Sequence, residues 1–225
     1  MERFGALVKN ILFPKRCIYC GRVQGFAPVC VCADSLERCR LIGHAVRADA
    51  DGRPLRFLKG IVGCYWYRDP IRRGIHRMKF AGAKGSAIFF GQEMAQTVRR
   101  ALPGVRFDAV VPVPSTRREL RERGYDVPLL MAREIASALE IPLWDDILIK
   151  SGETLRQHTL SKEERRENLK NVFAVQDAQR LRRKRILLCD DVSTTGTTLE
   201  ECARPLKRAG AAEVWGVVLA CTPRG

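Results

Sequence analysis

Ile186-Leu187-Leu188-Cys189-Asp190-Asp191-Val192-Ser193-Thr194-Thr195-Gly196-Thr197-Thr198 runs from an apolar strand into two adjacent carboxylates and then into a loop of hydroxyl side chains. A helix-like segment starts at Leu199. This order suits a sugar phosphate. Paired acids accept hydrogen bonds from vicinal ribose hydroxyls, while the loop amides, the hydroxyls and the helix dipole hold a phosphate. Gly196 lets the backbone approach that phosphate closely. An ordinary strand-to-helix turn capped by Ser or Thr shares single elements of this pattern, but not the whole ordered run.

The run resembles the signature by which type I phosphoribosyltransferases bind phosphoribosyl pyrophosphate (PRPP): apolar residues followed by Asp-Asp-x-x-Thr-Thr-Gly-x-Thr. Every fixed position of that signature is filled here.

Composition agrees with a globular chain. At 225 residues and 46% hydrophobic, it can bury a core as one domain with a small appendage. No apolar run approaches the length of a membrane span, and Met1 to Leu12 lacks a signal-peptide core, so the expected location is cytoplasmic. The net charge of +15 favours anionic partners: nucleotides, PRPP, pyrophosphate or nucleic acid. The basic run Arg180 to Arg185 reads as a solvated face ahead of the buried strand. No aromatic interleaving marks a single-strand groove, so any single-stranded DNA contact is expected to be weak.

Five of the nine cysteines lie between Cys17 and Cys39. Cys64, Cys189, Cys202 and Cys221 sit among apolar neighbours and read as small buried hydrophobes. An odd count with no secretory signal argues against a disulfide framework. Cys17-x-x-Cys20-Gly21 has the shape of a zinc knuckle, with two thiolates spaced for one tetrahedral ion. The second half is irregular: Cys30-x-Cys32, then Cys39. The expected ligands of one structural zinc are Cys17, Cys20 and Cys32, with Cys30 or Cys39 as the fourth; His44 reads as an exposed loop residue.

The chain divides into residues 1–45, a cysteine-rich zinc-knuckle region, and residues 46–225, which hold the phosphate loop. Residues 46–60 read as a polar turn and linker. A strand is expected over Ile61 to Tyr67, and Asp69-Pro70 then opens an amphipathic helix to Phe80, with Ile71, Ile75 and Met78 on one face. A second helix covers Ser86 to Arg100. Phe107 to Pro114 reads as a buried strand ending in prolines, followed by a basic loop from Ser115 to Gly124. Asp126 and Pro128 start a further helix. Residues 146–149 are a short apolar run, Ser151 to Thr159 a polar mobile stretch, and Ser161-Lys162-Glu163-Glu164 a capping box. Val172 to Val175, Ile186 to Cys189 and Val214 to Ala220 are the remaining strands. Pro205 should kink or shorten the helix from Leu199. Alternating strands and helices imply a largely parallel α/β sheet flanked by helices, with ligands at the carboxyl ends of its strands.

Three more motifs accompany the first. Val111-Pro112-Val113-Pro114 precedes Arg117-Arg118 and Arg121-x-Arg123-Gly124-Tyr125; Thr154-x-x-Gln157-x-x-Leu160 precedes Arg165-x-x-Asn168; and Ile75-x-x-Met78-Lys79-Phe80 follows the first strand. With the N-terminal knuckle, this order resembles the ComF/GntX family of competence-associated, phosphoribosyltransferase-like proteins. Two departures stand out. The family continues Arg-Gly-Phe-Asn-Gln where this chain has Arg123-Gly124-Tyr125-Asp126-Val127, and the second Cys-x-x-Cys is missing. Asp126 also reads as a helix N-cap.

The resemblance implies a type I phosphoribosyltransferase-like fold and displacement of pyrophosphate at the anomeric carbon of PRPP, with Mg²⁺ neutralising charge. Ser193, Thr194, Thr195, Gly196, Thr197 and Thr198 would hold the 5′-phosphate. Asp190 and Asp191 would take the ribose hydroxyls or water on Mg²⁺, as the catalytic pair. Arg117, Arg118, Arg121 and Arg123 would meet pyrophosphate, Arg123 foremost. No histidine or cysteine is marked as a base, His158 being the nearest candidate beside His44 and His76. Two functions follow: phosphoribosyl transfer to an unknown acceptor, or a PRPP-binding accessory role in DNA uptake beside a DNA translocase or helicase.

Overall fold

In the computed structural model, residues 16–23, 32, 36–41, 45–46, 54–80, 84–150 and 172–222 are described. The strands are β1 (Ala45–Val46), β2 (Gly60–Trp66), β3 (Ala109–Pro112), β4 (Leu148–Lys150), β5 (Phe173–Val175), β6 (Arg185–Ser193) and β7 (Glu213–Cys221). The helices are α1 (Ile71–Phe80), α2 (Lys84–Ala101), α3 (Arg117–Arg123), α4 (Val127–Leu139) and α5 (Thr197–Arg208). The main sheet has the order β1-β2-β7-β6-β3. β2, β7, β6 and β3 are parallel, and β1 closes one edge antiparallel to β2.

The near-continuous apolar runs of β6 and β7 fit a sheet covered on both faces. Val110, Leu187, Cys189, Trp215 and Val217 pack beneath α1, α2 and α4, against Ile75, Met78, Phe90, Met94, Met131 and Ile135. Val111, Ile186, Leu188, Val214 and Val218 face the other way, onto Leu199, Cys202 and Leu206 of α5 and onto the β4–β5 hairpin through Leu148 and Phe173. The four scattered cysteines are buried in these two layers, as read from their neighbours.

Three expectations are corrected. β3 stops at Pro112 rather than Pro114, although the Val113 amide still donates to Cys189 at 2.8 Å. The basic stretch after it is a short helix, α3, and not a loop, because Thr116 and Glu119 form a reciprocal capping box. Pro205 does not shorten α5, which continues to Arg208. A proline there costs about 3 kcal/mol; burying Leu199, Cys202, Ala203 and Leu206 against β6 and β7 offsets it. The Thr154–Leu160 motif, the capping box at Ser161, Arg165, Asn168, His44 and His158 lie outside the described residues.

Candidate functional site

β6 runs on through Ser193, so Asp190 and Asp191 are part of the strand and not a loop beyond it. A two-residue period then sends the neighbouring carboxylates to opposite faces of the sheet. Asp191 falls on the α1 side and is only 6% exposed. Lys79, in the last turn of α1, places its Nζ 2.6 Å from Asp191 Oδ2. Burial opposes the Lys79 charge, but Asp191 and, further off, Asp190 outweigh it and raise its pKa. Asp190 turns toward α5 and β4. Burial first, then the charge of Asp191, push its carboxyl up to about 8, with Lys79 pulling the other way. The Asp191 amide donates to Asp190 Oδ1 at 2.8 Å.

The hydroxyl-rich loop joins β6 to α5. Gly196 is the N-cap of α5 with φ +80°, a left-handed conformation that a side chain resists. A Cβ there would have room, 3.5 Å from Ile61 Cδ1, so backbone conformation rather than crowding selects glycine. Thr195 and Thr197 share a hydroxyl hydrogen bond of 2.8 Å, and the Thr197 amide donates to Thr195 Oγ1 at 3.3 Å. Thr194 is exposed, Thr197 and Thr198 are half-exposed at the helix start, and Ser193 is buried. Glu200, in the first turn of α5, accepts hydrogen bonds from three consecutive amides: Arg56, Phe57 and Leu58, the last at 2.9 Å. That bond set ties the approach to β2 against the hydroxyl-rich start of α5. The linker expected over residues 46–60 is thus fixed at Arg56, Phe57 and Leu58 by a partner over 140 positions away, which local sequence does not reveal.

The capping box decides where the four arginines go. Thr116 Oγ1 accepts from the Glu119 amide at 3.1 Å, and Glu119 accepts from the Thr116 amide at 2.8 Å and the Thr116 hydroxyl at 2.9 Å. Arg117, Arg118 and Arg121 are exposed, and Arg118 pairs with Glu122 at 2.6 Å. Arg123 turns inward. Its side chain is 9% exposed, bonds Glu119 at 3.2 Å and lies 5.6 Å over the Phe80 ring. Its Nε is buried with no hydrogen-bond partner among the described residues. Thr116-x-x-Glu119 is a capping-box pattern, the local signal in the sequence for this helix start.

Lys150 enters from β4, half-buried, its pKa lowered by burial against the opposing pull of Glu119 and Asp190. Neither lysine carries a local sequence signal for such a role: Lys79 stands within Ile75-x-x-Met78-Lys79-Phe80, and Lys150 lies in no motif. Asp126 is the N-cap of α4, accepting from the Leu129 amide and the Ser115 hydroxyl, each at 3.1 Å. Its substitution for the family amide therefore has a structural use. The Tyr125 hydroxyl donates to the Met78 carbonyl, tying the α3–α4 junction to the end of α1. His76 is exposed beside Phe80, with ring centroids 4.8 Å apart.

The N-terminal thiols form a second site. Cys17, Cys20 and Cys32 bring their sulfurs within 4.8 Å of one another, with Cys17 and Cys32 3.5 Å apart. Thiolates on one tetrahedral zinc stand about 3.8 Å apart, from a Zn–S bond near 2.3 Å. The turn is closed by Gly21 N to Cys17 O and Cys17 N to Arg22 O, both 2.9 Å. This donor set fits zinc. Cys39 lies apart, its thiol donating to the Asp69 carbonyl at 3.4 Å. Cys30 lies outside the described residues.

A parallel sheet flanked by helices, with an acid pair and a hydroxyl-rich helix start at its carboxyl edge, defines a protein of type I phosphoribosyltransferase-like fold. Residues 129–225 match the phosphoribosyl transferase domain family. Competence protein F of Haemophilus influenzae is 35% identical over 116 residues, 50% of this chain and 51% of that protein, so the chain spans about half the length of that relative. DNA utilization protein YhgH of Salmonella typhimurium is 32% identical over 155 residues, 66% of this chain and 67% of its own length. Competence protein ComFC of Bacillus subtilis is 27% identical over 198 residues, 87% of this chain and 73% of its own. The chain belongs to the ComF/GntX family of phosphoribosyltransferase-like proteins. Among solved structures, the allosteric regulatory enzyme of purine biosynthesis aligns at TM-score 0.40 and 24% identity over 59% of this chain and 25% of its own. The purine phosphoribosyltransferase of Pyrococcus horikoshii aligns at TM-score 0.37 and 22% identity over 61% and 72%. At such scores the fold rests on the sheet order and the family match.

Among the described residues no helix is long and apolar enough to cross a membrane.

Proposed function

We propose that this chain binds PRPP at the carboxyl edge of β6 and transfers its phosphoribosyl group to an acceptor, releasing pyrophosphate. The observation that carries the reading is the ion pair of Lys79 with Asp191 at the acid pair, with Lys150 near enough to feel the Asp190 charge and Arg123 near enough to feel Lys79, beside the hydroxyl-rich start of α5. The 5′-phosphate takes the loop from Ser193 to Thr198, where amides at the start of α5 and the threonine hydroxyls donate. Asp190 accepts from the ribose hydroxyls. Asp191 holds Lys79 at the same edge. The buried Nε of Arg123 supplies a charge-assisted donor for pyrophosphate; Arg117, Arg118 and Arg121 add field from the surface. Mg²⁺, when bound, would neutralise the leaving pyrophosphate, with Asp190 or Asp191 holding its water. The acceptor's nucleophile forms the new bond to the anomeric carbon as the bond to pyrophosphate oxygen breaks, the electron pair leaving with pyrophosphate.

In the zinc site, Cys30 is the proposed fourth ligand beside Cys17, Cys20 and Cys32, since the Cys39 thiol is engaged at Asp69.

A second reading draws on the names of the relatives, competence and DNA utilization proteins, and on the +15 charge. In it, PRPP binding regulates an accessory role in DNA uptake beside a cytoplasmic DNA translocase or helicase, with only weak direct contact to DNA.

Calorimetric titration with PRPP and Mg²⁺ tests the shared core of both readings. Wild-type protein binds, and the Asp190→Asn/Asp191→Asn variant loses affinity while keeping its fold. Unchanged affinity in that variant removes the assignment. Pyrophosphate release with candidate acceptors separates the enzyme from the accessory protein.

A further inference from the structure

Helix α1 is held by the cysteine loop and delivers Lys79 to Asp191. Arg77 Nη1 donates to the Cys17 carbonyl at 2.9 Å. A Cβ on Gly74 would lie 3.2 Å from Ile18 O, from Tyr19 Cα and from Tyr19 O, so α1 touches the loop backbone directly. On the other side of that contact, a Cβ on Gly21 would come 2.4 Å from Arg77 Nη1. Tyr19 anchors the loop further, edge-on to Tyr65 of β2 and to Phe89 of α2, with ring centroids 6.2 and 6.0 Å apart. Its hydroxyl meets that of Tyr65 at 3.4 Å, and Tyr65 donates to Glu93 Oε2 at 2.6 Å. Cys17 thus serves twice: its thiol belongs to the zinc-shaped triad, and its carbonyl receives the helix. Two residues beyond Arg77, Lys79 makes its 2.6 Å contact with Asp191.

We infer that the zinc-closed loop positions α1, and that Gly74 and Arg77 are positioning residues that set where Lys79 meets the acid pair. The cysteine region is then part of the phosphoribosyl site's framework, and truncating residues 1–45 disturbs that site as well as any docking surface. A helix moves as a rigid element, so a displacement at Gly74 or Arg77 is passed to Lys79, where misplacement of a charged group by about 1 Å is costly. This rests on the proposed PRPP reading for its binding readout, but not for its structural one.

The test uses full-length, zinc-loaded protein. Side-chain NMR signals of Lys79, assigned through Lys79→Met, report the ion pair without any ligand; titration with Mg²⁺ and PRPP reports the site. Arg77→Gln keeps zinc, shifts the Lys79 signals and weakens PRPP binding about tenfold. Arg77→Lys, whose longer, charged side chain still reaches the Cys17 carbonyl where the shorter, neutral glutamine amide does not, recovers most of the loss. Gly74→Val and extraction of zinc by a chelator move the Lys79 signals in the same way. In a Lys79→Met background, Arg77→Gln has no further effect on PRPP. If Gly74→Val does not fold, Arg77→Gln decides alone. Unmoved Lys79 signals in Arg77→Gln overturn the inference, as does an equal loss of PRPP affinity with and without Lys79. Wild-type protein that binds no PRPP defeats the proposed function instead, leaving the Lys79 signals to judge the coupling.

Discussion

Replacing Lys79 with Met strips the acid pair of its cation while keeping most of the side-chain volume. The 2.6 Å contact corresponds to about 6 kcal/mol of attraction at an effective dielectric near 20. Desolvation of both groups offsets much of that, and removing one partner of a buried pair typically costs about 3–5 kcal/mol. Two features lower the figure here: the Lys79 side chain is 22% exposed, and the neighbouring Asp190 carboxyl can take up a proton and reduce the uncompensated charge. A loss of about 2 kcal/mol at pH 8 results. The pH dependence carries the diagnosis. Lys79 has a raised pKa, so its contribution is complete below its unfolded value and is lost only as pH rises through the still higher folded value. Between pH 5 and 8 the titrating partner is therefore Asp190, whose carboxyl is pushed up to about 8, and the loss shrinks toward about 1 kcal/mol at pH 5 as Asp190 takes a proton. Urea unfolding followed by circular dichroism at both pH values, in Lys79→Met, Asp191→Asn and the double variant, measures this. A loss below about 0.5 kcal/mol at pH 8, or additive single variants, would refute the reasoning.

The raised Asp190 carboxyl makes a separate claim: the folded state holds a proton that the unfolded state has released, so stability falls as pH rises from about 4 toward about 8, and Asp190→Asn flattens that slope. Binding of PRPP with Mg²⁺ at neutral pH should release part of that proton, seen as an observed enthalpy that varies with the ionisation enthalpy of the buffer. Metal analysis of untagged protein should find about one zinc per chain, lost in Cys17→Ser, Cys30→Ser and Cys32→Ser but retained in Cys39→Ser; loss in Cys39→Ser with retention in Cys30→Ser would reverse the assignment. Gly196→Ala should cost about 1 kcal/mol of stability from its positive φ and weaken PRPP binding, whereas equal stability would show the loop relaxing to another conformation.

Local chemistry accounts for what was legible beforehand. The apolar run at Ile186, the Thr-Thr-Gly helix start and the alternation of strand and helix are short-range patterns, each set by backbone hydrogen bonding and side-chain period within a few residues. The same holds for the knuckle, where Cys17, Cys20 and Gly21 close a turn on themselves. From such patterns the sequence alone determined the parallel α/β class, the hydroxyl-rich helix start, the acid pair and three cysteines, Cys17, Cys20 and Cys32, that the fold brings together. It did not reveal that β6 continues through the acids, because strand length depends on what the neighbouring β7 offers: Val192 and Ser193 pair with Ala220 and Cys221 there. Nor did it say which of four arginines turns inward, since that follows from the orientation of α3 against Phe80. Lys79 reaches Asp191 across 112 positions, and Glu200 binds amides more than 140 positions earlier; such pairings exist only once the sheet order has brought their elements together. The docking of the cysteine loop on α1 is of the same kind. The sequence determined which groups could do chemistry, because residue type and local spacing carry that. Only the tertiary structure decided which charges meet and which stay solvated, because burial and ion pairing are set by contacts between segments the chain itself keeps far apart.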